Sequence, residues 1–324
     1  MKNEKIVIIG FGWVGQANAL ALLYDDYAVS YFDTQSPEEH YERSDEYKKI
    51  RKLSTALEVD GPETYYLVCV GDRVDEAGNQ DIRTIEKALD SLTKARGTVI
   101  LRSTVLPSSL DHLKFDIYVP EFLHEKAAVK ECINPEFIVI GKKDPHTKTP
   151  AFIETWRKRS GKFIECTPRD ASHIKYMSNL WNALRVGFTN EFGSSIEEPA
   201  DRKALAHIDT VVNFLFENGP YKRYGRSFGG HCLPKDVRAY VKWCEDNGRD
   251  NVLLKGLLRS NDLHLEKEKK YPHLPEWFSE WSERTGSGWV ALQILGKSIK
   301  RNIFHPIAAL KRRKTVEYRL LIKD

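Results

Sequence analysis

The chain has 324 residues, of which 41% are hydrophobic and 30% are charged, and its formal net charge is +4. This length allows two domains, and no apolar run approaches the ~20 residues of a transmembrane helix. The modest positive charge does not indicate nucleic acid as a partner, and anionic small molecules are an equally good interpretation. The first predicted strand begins at Lys5 with no signal peptide before it. The five scattered cysteines lack CxxC spacing, so we expect no disulfide framework, no metal site and a cytoplasmic location.

A glycine-rich turn begins at the end of the first predicted strand, which covers residues 5–10. The turn reads Gly10-Phe-Gly-Trp-Val-Gly15, and an Ala/Leu-rich helix is predicted from about residue 16 to 24. Gly10 permits the turn, Gly12 lets a pyrophosphate approach the backbone, and Gly15 lets the helix pack on the strand. The helix N-terminus then faces the phosphates, so this segment predicts a dinucleotide site.

A carboxylate follows the second predicted strand, residues 28–32, at Asp33. In this position it accepts hydrogen bonds from the adenosine ribose, which favours NAD over NADP. Further buried strands are predicted at 65–70, 98–102 and 116–119, with a helix between the first two. We therefore predict an α/β fold that begins with a Rossmann-type, doubly wound parallel sheet. Ligands bind at the carboxyl ends of such strands, where Thr104 and Glu121 lie.

From Asp170 onward the sequence pattern is helical, with helices predicted at about 170–192, 205–217, 236–247 and 251–269. In the first of them, three-and-four spacing predicts a buried stripe of Ile174, Met177, Trp181, Leu184 and Phe188. We predict three parts of the chain: an NAD-binding Rossmann domain over 1–165, an all-helical substrate and dimerisation domain over 166–270, and an aromatic, basic extension over 271–324.

One cysteine, Cys232, stands in a glycine-rich turn just before a predicted helix, in Ser227-Phe-Gly-Gly-His-Cys-Leu-Pro-Lys-Asp236. Pro234 suits the first helical position, and Asp236 suits the first turn, near the positive end of the helix dipole. A cysteine at such a junction can have a lowered pKa and act as a nucleophile. The alternative for the same cysteine is a small buried hydrophobe. Combined with a nicotinamide site, a nucleophilic thiol indicates aldehyde oxidation through a thioester.

Several motifs, in this order, resemble the UDP-glucose/GDP-mannose dehydrogenase family, and most closely its GDP-mannose 6-dehydrogenase members. They are Gly10-Phe-Gly-Trp-Val-Gly15, Cys69-Val-Gly71, Arg102-Ser-Thr-Val-Leu-Pro107, Pro120-Glu-Phe-Leu-His-Glu125, Lys175-Tyr-Met-Ser-Asn179, Phe228-Gly-Gly-His-Cys-Leu-Pro-Lys-Asp-Val-Arg-Ala239 and Leu258-Arg-Ser-Asn261. The resemblance covers roughly residues 4–268. It implies an NAD-dependent oxidoreductase that converts a nucleotide-sugar primary alcohol to a uronate, with two NAD+ per turnover. It also implies a homodimer through the long central helix and a role in polysaccharide biosynthesis.

The resemblance further implies roles for individual residues. Cys232 adds to the aldehyde as a thiohemiacetal and then carries a thioester, while Lys175 and Asn179 stabilise the oxyanion. Glu121 is the general base, and Thr104 and Asp236 hold the hydrolytic water. Spacing alone would also fit Lys175 and Asn179 on a solvated helix face. Cofactor contacts are implied for Gly10, Gly12, Trp13, Val14, Gly15, Asp33, Val70, Gly71, Thr104, Glu125 and Lys235. Substrate contacts are implied for Glu121, Phe122, Leu123, Lys175, Asn179, Phe228, Gly229, Gly230 and Cys232.

Three features depart from the family pattern. Residues 34–43 lack the lysine usually found shortly after the acid, and Asp72-Arg73 stands where the family has Thr-Pro. We also expect the family's C-terminal nucleotide-binding domain to be missing. Two alternative functions therefore stay open: a dehydrogenase of a smaller sugar phosphate or polyol, and a catalytically weak nucleotide- or sugar-binding protein in a polysaccharide assembly complex.

The extension over 271–324 carries three tryptophans followed by a run of basic residues. We predict one or two short amphipathic helices here. Three interpretations remain: a solvated helix that packs its tryptophans on the core, a reduced nucleotide or phosphate clamp, and a docking segment for an anionic membrane surface or a glycosyltransferase.

Overall fold

The computed structural model describes residues 4–41, 44–124, 127–216, 221–230, 232–275 and 316–319. These residues form two compact units. The first contains the described residues up to 72, those in 82–175 and those after 284; the second contains 73–81 and the described residues of 176–284. No helix in these ranges combines the length and the apolar character needed to cross a membrane. Within them, no three His, Cys, Asp or Glu side chains are grouped closely enough to hold a metal ion.

The first unit is built on a nine-stranded sheet. Its strands are β1 (Lys5–Ile9), β2 (Ala28–Phe32), β3 (Arg51–Lys52), β4 (Thr64–Val68), β7 (Thr98–Leu101), β8 (Ile117–Tyr118), β9 (Phe137–Lys142), β10 (Lys162–Cys166) and β11 (Val316–Arg319). Their order is β11-β10-β9-β8-β7-β4-β1-β2-β3, and every neighbouring pair is parallel except β8 and β9. The predicted doubly wound sheet is confirmed, with one antiparallel pair added to it.

Helices cover both faces of this sheet: α1 (Trp13–Tyr24), α2 (Ser44–Tyr47), α3 (Arg83–Asp90), α4 (Ala128–Ile133) and α5 (Ala151–Arg159). Alternate residues of β1 enter different cores because successive side chains of a strand point to opposite faces. Ile6 and Ile8 pack with residues of α1, α4 and α5. Val7 and Ile9 pack with residues of α3. A central parallel strand is thus apolar on both sides, as its sequence predicted.

The strand register determines where the ligand-binding edge lies. Ile9 pairs with Phe32 and with Val68, Val68 pairs with Leu101, and Leu101 pairs with Tyr118. Five strands therefore end at the same edge of the sheet. The segments that leave these ends carry Gly10, Asp33, Gly71, Thr104 and Glu121.

In its described residues the second unit is helical apart from a two-stranded antiparallel hairpin of β5 (Arg73–Val74) and β6 (Gln80–Asp81). Its helices are α7 (Arg202–Phe216), α8 (Leu233–Asp246) and α9 (Val252–Lys270), together with most of α6 (Pro168–Ile196), which begins in the first unit. The four helices predicted for this part of the chain are present, with bounds that differ by one to four residues (Asp170 against Pro168 and Phe192 against Ile196 for the longest).

The predicted buried stripe on α6 is wrong for three of its five residues. Met177, Trp181 and Phe188 are 63%, 57% and 52% exposed, whereas Ile174 and Leu184 are partly buried. The buried face of α6 instead contains Tyr176, Leu180, Ala183 and Val186. Helical periodicity identifies an apolar face, but it does not tell whether that face packs inside its own chain.

The helical prediction for the extension is wrong for residues 316–319, which are described there together with 271–275. Val316–Arg319 form β11 and pair in parallel with β10, with Val316 opposite Lys162 and Arg319 opposite Glu165. An edge strand such as β10 presents unpaired backbone groups, and added pairing satisfies them. The three tryptophans and most basic residues of the extension lie outside the described residues.

Candidate active site

The glycines at this edge of the sheet fall into two classes: packing inside the protein requires some of them and does not require the others. Gly10 has a φ of +86°, and a Cβ there would lie 2.6 Å from Val70 Cγ1. A Cβ on Gly15 would lie 2.1 Å from the Gly10 carbonyl oxygen. A Cβ on Gly12 or Gly71 would meet nothing within 4 Å, and neither residue has a positive φ. Packing inside the protein therefore does not explain Gly12 and Gly71, and open space beside them is what a bound dinucleotide needs.

The start of α1 suits an anion. Gly12 is its N-cap residue, no side chain caps the helix, and no acidic residue lies in the first turn. The backbone N–H groups of the first turn have no partner within the helix, so they can bind phosphate oxygens. Val14 and Trp13 lie in this turn, partly buried and 38% exposed respectively.

Asp33 is held at the carboxyl end of β2 by two backbone donors. The Phe11 N–H donates to its Oδ2 at 2.6 Å, and the Gln35 N–H donates to its Oδ1 at 2.8 Å. The carboxylate is thus fixed beside the glycine-rich turn, and each oxygen keeps acceptor capacity for a ribose hydroxyl. This arrangement fits the adenosine ribose predicted from the sequence.

A buried ion pair joins Glu121 to Lys175 in the first unit. Lys175 Nζ donates to Glu121 Oε1 at 3.1 Å, and the two side chains are 3% and 10% exposed. The Leu123 N–H donates to the other carboxylate oxygen at 2.8 Å, and the Phe122 ring centroid lies 5.4 Å from Lys175 Nζ. Burial by itself raises the pKa of Glu121, but the ammonium, the Leu123 N–H and Arg102 outweigh it and hold the pKa below its ordinary value. Glu121 is therefore ionised at neutral pH and can accept a proton.

Thr104 is buried at the same edge of the sheet, one residue after Ser103. The Ser103 hydroxyl donates to the Val70 carbonyl at 2.6 Å and so ties the segment after β7 to the segment after β4. Val70 is partly buried and Gly71 is exposed. The predicted contacts Val70, Gly71 and Thr104 therefore lie on neighbouring strand ends of one unit.

A second polar group lies at the start of α8 in the second unit. Asn179 Nδ2 donates to Asp236 Oδ2 at 2.6 Å, and Lys235 Nζ donates to Asp236 Oδ1 at 2.7 Å. The Asp236 side chain is 1% exposed, and its backbone N–H makes the first helical hydrogen bond, to the Cys232 carbonyl. Three residues predicted to act at the site are thus joined through one carboxylate, and Lys175 lies one turn before Asn179 on α6.

Cys232 differs from every other cysteine of the chain. All five are described and none forms a disulfide, but only Cys232 is exposed. Burial raises the pKa of Cys69, Cys132 and Cys166 to about 12, and it also raises the pKa of Cys244. These four thiols stay protonated at neutral pH. The exposed thiol at the N-cap position of α8 is the one that can react with a solute.

The loop before Cys232 is held by side chains to which the sequence assigned no role. Asn261 accepts a hydrogen bond from the Phe228 N–H at 2.9 Å and donates to the Phe228 carbonyl at 3.2 Å. His264 Nε2 lies 2.6 Å from the Gly225 carbonyl oxygen, and the Ser227 N–H donates to the Glu268 carboxylate. Asn261, His264 and Glu268 share one face of α9, and this polar face within an otherwise amphipathic pattern is the signal that could have identified them.

The anchored loop leaves room for a ligand. Phe228 is buried, Gly230 has a φ of +74°, and Gly229 has no positive φ. A Cβ on Gly229 or Gly230 would meet nothing within 4 Å. The predicted close approach of backbone to substrate is therefore compatible with the structure. Glu125, predicted near the nicotinamide, lies outside the described residues.

Family models match most of the chain. The model described as "UDP-glucose/GDP-mannose dehydrogenase family, NAD binding domain" matches residues 4–158, and the model of the same family's central domain matches residues 169–263. This chain belongs to the UDP-glucose/GDP-mannose dehydrogenase family. The resemblance stated from the motifs is confirmed, and NAD is the cofactor of the domain that contains the glycine-rich turn and Asp33.

Individual relatives carry different substrate names. The chain is 30% identical over 223 residues to GDP-mannose 6-dehydrogenase of Pseudomonas aeruginosa, and the matched region covers 62% of this chain and 51% of that protein. It is 26% identical over 294 residues to UDP-glucose 6-dehydrogenase of Rickettsia prowazekii, covering 80% and 67%. A solved UDP-glucose dehydrogenase from Pyrobaculum islandicum superposes with a TM-score of 0.65 at 25% identity, covering 80% and 68%. The chain spans about half the length of the GDP-mannose 6-dehydrogenase that it matches, 51%.

The buried ion pair gives a stability prediction. We expect Lys175→Met to lower the free energy of unfolding by about 3–5 kcal/mol near neutral pH, because it leaves the Glu121 carboxylate buried without its partner. A carboxyl group whose pKa is lowered by folding stabilises the protein at pH values above its ordinary pKa of 4.5. This stabilisation is lost as the pH falls through the pKa of the folded state. In the variant, burial without the ammonium raises the pKa of Glu121, so its carboxyl group is protonated at a higher pH. The difference in the free energy of unfolding between variant and wild type, measured in urea, should therefore narrow as the pH falls and be smallest below the ordinary pKa.

Lys142→Met is the matched control in the same unit. Lys142 Nζ lies 3.4 Å from Glu165 Oε2, but that carboxylate is 38% exposed. Removing this pair should cost no more than about 1 kcal/mol. Equal losses of unfolding free energy in the two variants would contradict the interpretation that Lys175→Met leaves the Glu121 carboxylate buried without a partner.

The two classes of glycine give a binding prediction. We expect Gly12→Ala to leave the free energy of unfolding within about 0.5 kcal/mol of wild type and to weaken NAD+ binding at least about tenfold, because the added methyl occupies the phosphate space. Gly15→Ala should lower the melting temperature, since its methyl overlaps the Gly10 carbonyl. Calorimetric titration with NAD+ and thermal unfolding measure both effects, and wild-type NAD+ affinity in Gly12→Ala would overturn the interpretation of Gly12.

Proposed function

We propose that this protein is an NAD-dependent nucleotide-sugar 6-dehydrogenase that oxidises a primary alcohol to a carboxylate in two steps. The observation that carries the proposal is Cys232, the one exposed cysteine of five, placed at the start of α8 after an anchored glycine loop. Family membership and the NAD-binding domain support it. When bound, NAD+ accepts a hydride in each oxidation.

The first oxidation needs a base for the hydroxyl proton. Glu121 is ionised because the Lys175 ammonium offsets its burial, so it can take this proton directly or through a water molecule. Lys175 can then stabilise negative charge on the substrate oxygen by hydrogen bonding and by its charge. We assign Thr104, buried at the neighbouring strand end, to the hydrolytic water.

The second oxidation needs a tetrahedral carbon that can lose a hydride. The Cys232 thiolate forms a bond to the aldehyde carbon, and the carbonyl oxygen takes up a proton to give a thiohemiacetal. Oxidation of this adduct gives a thioester, and attack by water releases the carboxylate and regenerates the thiol. We assign Asn179 to the adduct oxygen and Asp236, held by Asn179 and Lys235, to the attacking water.

We also propose that the protein acts as a homodimer through α6. Four exposed apolar residues lie on one face of this helix: Met177, Trp181, Phe188 and Phe192. The rings of Phe188 and Phe192 are parallel, with centroids 6.1 Å apart. A contiguous exposed apolar face of this kind typically marks a protein interface.

The dimer prediction uses this face. We expect Trp181→Glu to shift the protein from dimer to monomer in light scattering coupled to size exclusion, because a carboxylate cannot be buried unpaired in an apolar interface. Trp181→Phe keeps an apolar ring and should stay dimeric. A dimer that survives Trp181→Glu at micromolar concentration would rule out this face as the interface.

Cytoplasmic location and a role in polysaccharide biosynthesis remain proposals. A catalytic thiol requires reducing conditions, and none of the five cysteines forms a disulfide. Docking to a membrane surface or a glycosyltransferase was predicted for basic residues of the extension, most of which lie outside the described part of the chain.

The function is tested with NAD+ and a panel of GDP-mannose, UDP-glucose, UDP-N-acetylmannosamine and simple sugar phosphates. We expect two NADH per molecule of carboxylate product with one of the nucleotide sugars, measured by NADH absorbance and mass spectrometry. Turnover confined to sugar phosphates would favour the smaller-substrate alternative. NAD+ binding without any turnover on this panel would contradict the nucleotide-sugar proposal.

Cys232→Ser tests the thioester. We expect it to lower carboxylate formation by roughly 1,000-fold or more, because a hydroxyl replaces the nucleophilic thiol. Cys244→Ser alters a buried cysteine of the same helix and should keep two NADH per carboxylate. Carboxylate formation at the wild-type rate in Cys232→Ser would show that the thiol is not needed.

A further inference from the structure

The segment after Asp33 folds against the glycine-rich turn, and Gln16 is the residue that joins them. Gln16 lies in the second turn of α1 and is 1% exposed. Its amide nitrogen donates to the Phe11 carbonyl at 2.8 Å and to the Glu38 carbonyl at 2.7 Å. Its amide oxygen accepts from the His40 N–H at 2.9 Å and from the Tyr47 hydroxyl at 2.5 Å. Both donors and both acceptor positions of the carboxamide are thus in use.

These four bonds connect three separate pieces of backbone. Phe11 belongs to the glycine-rich turn, Glu38 and His40 belong to the segment that follows β2, and Tyr47 ends α2. A buried amide whose hydrogen bonds are all satisfied rigidifies what it connects, whereas an apolar replacement leaves the same carbonyls unpaired. Gln16 therefore acts as a clamp that joins the turn to residues 34–41 and to Tyr47.

The same two segments hold Asp33. The Phe11 N–H binds one oxygen of its carboxylate, and the Gln35 N–H binds the other. The orientation of the carboxylate consequently depends on how the turn and residues 34–41 lie relative to each other. Gln16 sets that relation without touching Asp33 itself.

Aromatic contacts support the same arrangement. The His40 ring stacks on Trp13 with centroids 4.2 Å apart, and the Tyr41 ring meets Trp13 edge-on at 5.4 Å. The Tyr41 hydroxyl also donates to the Trp13 carbonyl at 3.2 Å. The segment therefore lies against the turn residue that follows Gly12, at the edge where the cofactor binds.

We propose that Gln16 is a positioning residue for NAD that fixes Asp33 for the adenosine ribose and sets the preference for NAD over NADP. A carboxylate held in one orientation accepts the ribose hydroxyls and repels a 2′-phosphate. A carboxylate that can rotate away loses its hydrogen bonds to the ribose hydroxyls and repels a 2′-phosphate less strongly. The inference rests on NAD binding alone and is independent of the thiol chemistry, so the two can fail separately.

The test is calorimetric titration of Gln16→Leu with NAD+ and with NADP+. We expect the Kd for NAD+ to rise about tenfold or more and the Kd for NADP+ to rise less or to fall, so that the preference for NAD+ drops at least about tenfold. Hydrogen exchange of the backbone at residues 34–41 should become faster in the same variant. Gln16→Glu keeps the acceptor atoms but loses the donors to two carbonyls. It should change the Kd for NAD+, the Kd for NADP+ and the hydrogen exchange of residues 34–41 in the same directions as Gln16→Leu.

Asn18→Leu is the matched control on the same helix. Asn18 is fully buried, and its amide donates to the Val14 carbonyl within α1 at 2.7 Å. This variant should lose stability while keeping the wild-type cofactor preference and the wild-type exchange of residues 34–41. If Gln16→Leu does not fold, the same measurements on Gln16→Glu test the proposal. An unchanged NAD+ preference in the folded Gln16 variants, or an equal change in Asn18→Leu, would overturn the proposal.

Discussion

In-register parallel pairing is the constraint on which the cofactor edge of the first unit depends. Because β1, β2, β4, β7 and β8 end together, residues far apart in sequence emerge side by side: the glycine turn, the acid after β2 and the polar residues after β7 and β8. The turn can approach its neighbours closely only because Gly10 and Gly15 lack side chains. Backbone N–H groups and a carboxylate then face one edge, which is the arrangement a dinucleotide requires.

Two buried carboxylates of the candidate site are each compensated locally. Glu121 has Lys175 and a backbone N–H, while Asp236 has Asn179 and Lys235. Such groups contribute little net stability compared with apolar replacements, so their presence indicates a task that apolar residues cannot perform. Under the proposed function these tasks are proton transfer and stabilisation of a developing oxyanion.

The cysteines and the glycines of the candidate site differ in how much open space the chain leaves beside them. Four cysteines are buried and hold their protons, while Cys232 is exposed after a loop tied down by Asn261 and His264. Open space beside Gly12 and Gly229 is likewise unused by the protein's own packing. Rigid surroundings and vacant space at the same positions allow a ligand to bind without rearranging the backbone.

The sequence by itself determined the parallel sheet, the glycine turn with Asp33, the family and the distinctive cysteine, because each rests on local pattern: apolar runs, a glycine spacing, a short motif. The tertiary structure decided the rest. Only folding could show that Met177 and Trp181 face outward, since periodicity is the same for an apolar face packed within the chain and for one left exposed. Only folding could bring Gln16 to Glu38 and His40, because hydrogen bonds across more than twenty residues depend on how segments pack and leave no signature in local sequence.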